Sequence, residues 1–292
     1  MKVGFLRVVE SARLYGDTYV TWFDPSTGSG QAAPDLLRGA TPGQFLMLRC
    51  ADVLPGAEEP LTGASLADDP LLPRAMSYHR LRQGPSTGLR AGEGGPEFAI
   101  LYDVVGRGTA WLARREPGDR VFAWGPLGRG YSLRSGQNLL LVAGGIGVAP
   151  LVWLAEEAVA KGRSVVLIDG ARDESGVFPA ELLPSEVEVV VTTEDGSLGR
   201  QGRVTDVFLD YYGWADAVFA CGPNAMFAAL AELLAKHEGP SRARRRKPVQ
   251  ALVESPMACG TGLCYGCAVF DRRGAARLVC KEGPRFELRD VW

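Results

Sequence analysis

The sequence lacks an apolar run long enough to span a bilayer. The stretch that comes nearest, 139–155, has 17 residues without charge, short of the ~20 a crossing helix needs. Gly144, Gly145, Gly147 and Pro150 interrupt it. It reads instead as a buried strand, a tight turn and a helix, not as a membrane anchor. A dominant charge is also missing, since 32 basic and 34 acidic residues leave −2. Such a balance argues against nucleic acid or an anionic lipid surface as the main partner. No secretory leader is expected either, because the opening run Met1–Arg7 is only briefly apolar before charge breaks it. A reducing cytoplasm is then the default, where thiols serve metals more often than disulfides. Internal repeats and low-complexity blocks are absent. At 292 residues the chain has room for about two full cores.

What is present is sharpest near the C-terminus. Four of the six cysteines, Cys259, Cys264, Cys267 and Cys280, are spaced C-x4-C-x2-C-x12-C, the plant-type ligand pattern of a [2Fe–2S] cluster. Gly260, Gly262 and Gly266 between them permit positive φ angles and leave backbone N–H groups free to face sulfur. Structural zinc usually takes paired C-x2-C knuckles, and this stretch has one such pair. Zinc and disulfides are the competing readings.

Ahead of that segment the chain has two textures. Short β-rich runs, 2–9, 19–23, 44–49, 98–105 and 120–124, are separated by Gly and Pro, which predicts an antiparallel barrel. Two Gly-, Pro- and Ala-rich stretches, 52–73 and 83–96, are expected to be surface loops, the first with a partner-contacting lid as its alternative. From residue 138 strands (139–143, 164–169, 186–192, 217–220) alternate with helices (151–161, 225–237), which predicts a parallel sheet covered by helices. The basic run 242–247 reads as a solvated linker, or as a docking contact for an acidic surface. The expected units are 1–135, 136–240 and 241–292.

Several short motifs carry chemistry. Gly144, Gly145, Gly147, Ala149 and Pro150 occupy a strand-to-helix turn, where bare backbone and unpaired N–H groups suit a pyrophosphate; close packing alone is the plainer explanation. The spacing is not G-x-G-x-x-G, so the phosphate geometry should differ from a standard dinucleotide finger. Cys221, Gly222 and Pro223 follow a strand at the sheet edge where ligands bind in open α/β folds, although Cys221 also suits a simple core position. Arg74, Ala75, Met76, Ser77 and Tyr78 combine a phosphate-binding fork, a hydroxyl and a ring able to stack on a flavin. Gly108 and Thr109 sit in a glycine–threonine turn that would offer N–H groups and a hydroxyl to a second phosphate, or be a plain hairpin.

The order of these motifs along the chain resembles the ferredoxin-reductase superfamily. Gly125–Gly130 and Thr193–Gly199 are similar to family segments as well. Glu254–Cys267 with Leu278–Phe286 resembles the electron-transfer subunits of class 1B dihydroorotate dehydrogenases. The resemblance implies three parts: an antiparallel β-barrel FAD domain, a ferredoxin-reductase-like α/β nucleotide domain and a small C-terminal [2Fe–2S] domain. It implies FAD contacts from Arg74 to Ser77, from Leu101, Tyr102 and Asp103, and from Gly108 and Thr109. It implies NAD at the Gly144 and Cys221 turns, and cluster ligation by Cys259, Cys264, Cys267 and Cys280. The implied partner is an FMN-bearing catalytic subunit, joined in a heterotetramer of pyrimidine biosynthesis, and the chain alone should not oxidise dihydroorotate. Rival readings are a reductase subunit for an oxygenase, hydrogenase or glutamate-synthase-like flavoprotein, and a zinc-stabilised binding protein. Position 75 departs from the family pattern, being Ala where Pro is usual, and the 52–73 loop is longer than expected. Arg172 beside Asp173 leaves the nucleotide open, with Asp173 favouring NAD over its phosphorylated form.

Overall fold

The computed structural model describes residues 2–25, 36–51, 72–83, 96–133, 136–239 and 246–292. The stretches 52–73 and 83–96 and the basic run 242–247 therefore lie outside the described residues except at their margins.

Seven strands form the first sheet: β1 (Lys2–Tyr15), β2 (Thr18–Asp24), β3 (Phe45–Leu48), β4 (Arg74–Ser77), β5 (Arg80–Gln83), β6 (Pro96–Asp103) and β7 (Arg120–Leu127). They bond in the order β4-β3-β7-β1-β2-β6-β5, every pair antiparallel. The two end strands are consecutive in the chain, separated only by Tyr78 and His79. Tyr78 N donates to the Gln44 carbonyl (3.2 Å) and His79 N to that of Ala99 (2.9 Å). This corner ties both ends together and curls the sheet into the expected barrel, filled by Leu6, Phe23, Leu46, Met76, Phe98 and Tyr102. Between β6 and β7 stands helix α1 (Arg107–Ala113), where the sequence predicts a turn. Two glycines at its start mask a helix. Thr109 Oγ1 compensates by accepting from the N–H groups of Val105 and Gly106 at 3.0 and 3.2 Å.

The second sheet contains β8 (Asn138–Gly144), β9 (Ser164–Ala171), β10 (Val187–Thr193), β11 (Arg200–Gln201), β12 (Ala217–Cys221) and β13 (Val249–Leu252). A small hairpin of β14 (Ala268–Phe270) and β15 (Ala276–Leu278) follows, and then β16 (Arg285–Glu287) returns to the sheet. The order is β11-β10-β9-β8-β12-β13-β16, parallel except for β16. Both faces are covered, so its central strands are apolar on both sides. Leu139 and Leu141 pack under α2 (Ala149–Ala160). Leu140 and Val142 pack under α3 (Val204–Tyr212) and α4 (Asn224–Glu238). A short α5 (Leu288–Val291) ends the chain. The C-terminal residues thus extend the nucleotide sheet, since β13 lies against β12 and β16 against β13.

The two sheets are joined through the β4–β5 corner. Trp153 of α2 belongs to the barrel's core, with the Tyr78 ring edge-on at 6.2 Å. Arg80 pairs with Glu156 at 2.6 Å. His79 Nδ1 donates to the Ala149 carbonyl at 2.8 Å, and burial holds its imidazole neutral, with the pKa down at about 4. Among the described residues no helix is long and apolar enough to cross a membrane.

Candidate functional site

Three neighbouring regions carry the expected residues. The cysteine loop rests on the barrel. Gly260, at φ +66°, has no room for a side chain, because a Cβ would lie 2.6 Å from Met47 Cγ and 3.1 Å from Leu127 Cδ1. Cys267 and Cys280 are buried with Phe45, Met47, Leu127, Val253 and Val279, whereas Cys264 is exposed between Leu263 and Tyr265. The Cys264 thiol acts on Cys259, and the Cys267 thiol, with Cys259 as a weaker influence, acts on Cys280. Burial alone would raise Cys259, but N–H groups of Thr261 and Cys264 bring its thiol down to about 6. Burial, then the Cys267 thiol, push Cys280 up to about 12. Four cysteines on this loop and its return would hold a [2Fe–2S] cluster.

Beside the loop is a cavity of 530 Å³ lined by Phe45, Ala75, Ser77, Cys221, Asn224, Glu254 and Met257, among others. Phe45 faces the cavity and also packs with Cys267 and Cys280. Of the expected FAD residues, Ala75 and Ser77 line this space. Arg74 lies instead over the start of α1, where a Cβ on Gly108 would be 2.5 Å from its Nε. The arginine and the glycine are therefore brought together. Other expectations change. Tyr78 is not free to stack on a flavin, because it is buried against Phe98 and its hydroxyl donates to the Leu36 carbonyl at 2.7 Å. Met76 and Tyr102 point into the barrel and Leu101 into the core beneath α2. The Tyr102 hydroxyl lies 3.1 Å from Thr21 Oγ1, and burial pushes it up to about 12. Asp103 accepts from Thr18 Oγ1 at 2.6 Å. From these residues only main-chain groups remain for a ligand, apart from the second oxygen of Asp103. The Thr109 hydroxyl is likewise occupied at its own helix start.

The third space is an 800 Å³ cleft at the C-terminal ends of the parallel strands, whose walls include Gly144, Gly145, Gly170, Arg172, Thr192, Glu194, Arg203, Pro223 and Met226. The Gly144 and Cys221 turns touch, as a Cβ on Gly144 would be 2.9 Å from Pro223 Cδ and one on Gly147 would strike the Cys221 carbonyl. Gly145, at φ +55°, has nothing within 4 Å of its Cβ position, leaving bare backbone at the cleft. Ala149 and Pro150 are buried at the first turn of α2. Cys221 is buried, and that burial holds its thiol well above the usual range. Its side of the turn reaches the 530 Å³ cavity, so it stands between the two spaces. Asp173 takes no part in the cleft wall, its carboxylate accepting from Ser175 N at 2.9 Å. Sequence reasoning missed Glu254 and Asn224 in the cavity and Glu194 and Arg203 in the cleft. Glu254 directly precedes Ser-Pro ahead of the cysteines, a placement that signals nothing until β13 is known to end beside Cys221.

Comparison with known proteins agrees with this layout. Residues 254–292 match the family model of the iron–sulfur cluster binding domain of dihydroorotate dehydrogenase B. Residues 141–232 match the oxidoreductase NAD-binding domain. The chain is 34% identical over 284 residues to the dihydroorotate dehydrogenase B (NAD(+)) electron transfer subunit of Desulforamulus reducens, covering 94% of this chain and 93% of that one. The chain belongs to the family of dihydroorotate dehydrogenase B (NAD(+)) electron transfer subunits. The subunit of the same name from Bacillus caldolyticus is 37% identical, with 86% of each chain covered. In fold, this electron transfer subunit is similar to an NADH-dependent reduced ferredoxin-NADP oxidoreductase (TM-score 0.73, 24% identity, 99% of this chain and 90% of that one). It is also similar to a ferredoxin NADP+ reductase from Neisseria gonorrhoeae (TM-score 0.56, 16% identity, 84% and 96%). The electron transfer subunit is an oxidoreductase component with an iron–sulfur cluster binding domain and an NAD-binding domain. Neither the zinc-stabilised binding protein nor a reductase for an unrelated partner accounts for the identity over the whole chain.

Proposed function

We propose that the chain passes electrons between NAD in the cleft, FAD in the cavity beside Ser77 and Cys221, and a cluster on Cys259, Cys264, Cys267 and Cys280, and that it exchanges them with the FMN of a dihydroorotate-oxidising partner subunit. FAD supplies the conversion between a nicotinamide's electron pair and the single electrons a cluster carries. The protein contributes position. Arg74 with the first turn of α1 would hold a pyrophosphate, and Gly144, Gly145 and Gly147 give a second phosphate bare backbone. Cys221 keeps the nicotinamide end against the cavity, and Phe45 and Met257 close the space on the cluster side and exclude water. The observation that carries the proposal is Phe45, which is a wall of the cavity and a neighbour of the inner thiols Cys267 and Cys280. The outer ligand Cys264, flanked by Leu263 (83% exposed) and Tyr265 (65%), then faces the partner. Glu194, ion-paired to Arg203 at 3.6 Å, makes the cleft unwelcoming to a 2′-phosphate, in line with NAD. The units 1–135, 136–240 and 241–292 divide the chain by cofactor, a cytoplasmic location fits the thiol ligands, and a heterotetramer with two catalytic subunits is the expected assembly.

The test is reconstitution. Mixed with a dihydroorotate-oxidising FMN subunit, the chain should form a stable complex that reduces NAD⁺ with dihydroorotate, and alone it should not. Absence of both complex and turnover would remove the pyrimidine role.

A further inference from the structure

The geometry points to Trp124 as the positioning residue of the cluster loop, holding the Cys259–Gly260 peptide against the barrel so that the first ligand keeps its hydrogen bond. Trp124 lies on β7, paired with Met47 of β3 and Val3 of β1. Its indole Nε1–H donates to the Cys259 carbonyl at 3.1 Å, across 135 residues of sequence. An indole N–H is donor only and needs a partner when half-buried. Here the partner is a ligand's own main chain.

Three neighbouring facts give that bond a consequence. Fixing the Cys259 carbonyl fixes the plane of the Cys259–Gly260 peptide, since that bond does not rotate. Gly260 must then take φ +66°, with its α-carbon pressed on Met47 and Leu127 too closely for any side chain. The chain turns back at once, and Thr261 N comes to 3.4 Å from Cys259 Sγ. An N–H donor on a cysteine sulfur lowers the cost of added negative charge on the cluster and so raises its potential. The other ligands are held within the C-terminal segment itself. Gly266 N is 3.5 Å from Cys264 Sγ, and Val279 N donates to the Cys267 carbonyl at 3.2 Å. Cys259 is thus the ligand whose main chain is bonded to the flavin barrel. Trp124 is not a wall of the flavin cavity, so it acts through Cys259 rather than on FAD.

The role presupposes the cluster reading of the four cysteines, and the experiment separates the two. Wild type and W124F, which keeps a ring and removes the N–H, are purified whole and anaerobically. Iron and FAD content, the electron paramagnetic resonance signal of the reduced cluster, its midpoint potential and the rate of FAD reduction by NADH are then measured. Expected for W124F are unchanged FAD content and FAD reduction, an altered resonance signal, a more negative cluster potential and roughly tenfold slower onward transfer to a one-electron acceptor, the usual scale for losing a ligand-supporting bond. Loss of iron with FAD retained and reducible also upholds the role. An unchanged signal and potential would overturn it. So would loss of FAD together with iron, because Trp124 would then be ordinary packing between strands. A wild-type chain without iron or flavin would refute the cofactor assignment itself.

Discussion

At the scale of single residues, what was legible was whatever chemistry the spacing enforces. Four cysteines at C-x4-C-x2-C-x12-C need no structure to be read. Cys264→Ala, at the exposed ligand, should abolish the cluster's absorbance and transfer to the partner subunit while NADH still reduces FAD; iron content and stopped-flow flavin bleaching check it. The same outcome is expected of Cys267→Ala, with an added loss of stability because that thiol is buried against Met47 and Leu127. Asp169 was invisible as anything but a strand residue. It is 1% exposed, has one oxygen bonded to Phe178 N at 2.9 Å and the other without a partner, and burial raises its pKa to about 7. Because the folded value lies above the ordinary carboxyl value of 3.8, the native state holds the proton more tightly than the unfolded chain. Stability from this group is therefore greatest at low pH, falls as pH rises between those two values, and stays low above them. Asp169→Asn should raise the melting temperature at pH 8 and flatten the difference between variant and wild type at pH 4, by an amount on the order of 1–3 kcal/mol at the upper end. Thermal melts across that range decide it, and a variant less stable at pH 8 would show the carboxylate has a partner worth more than its burial.

At the scale of elements, periodicity located most strands and two of the helices, and missed what depends on neighbours. β4 and β5 are four residues each with no run of β-formers, and are placed by β3 and β6 rather than by their own pattern. Helix α1 is hidden by two glycines at its start, one of which, Gly108, lies against the Arg74 guanidinium. Helix α3 follows a two-residue strand and has no loud start signal, Arg203 standing at its N-cap position. The α2 helix is legible in the sequence, but not that seven consecutive residues from Ala149 to Ala155 are buried and that one of them belongs to the barrel's core. Trp153→Ala should destabilise both sheets together, by about 3–5 kcal/mol, and loosen FAD. Denaturant unfolding followed by flavin fluorescence would show one transition moved to lower concentration; a change confined to the nucleotide domain would contradict the shared core.

At the scale of the molecule, the sequence could not tell that its third part is not a free unit. β13 and β16 are separated by more than 30 residues of cluster loop and hairpin, and parallel pairing between β13 and β12 leaves no local trace. NAD preference is likewise a property of the assembled cleft: Glu194→Ala should raise kcat/KM with NADP relative to NAD roughly tenfold, as loss of a repelling charge would, and steady-state kinetics with both nucleotides would register a null result plainly. The continuity of the second sheet has an evolutionary corollary. A cluster segment that also supplies the last two strands of its neighbour is not an interchangeable cartridge. Cutting the chain before Val249 would bare the flank of β12 and invite edge-to-edge association, and grafting 249–292 onto another reductase would import strands with nowhere to pair. In this chain the cluster segment and the nucleotide fold therefore stand or fall together.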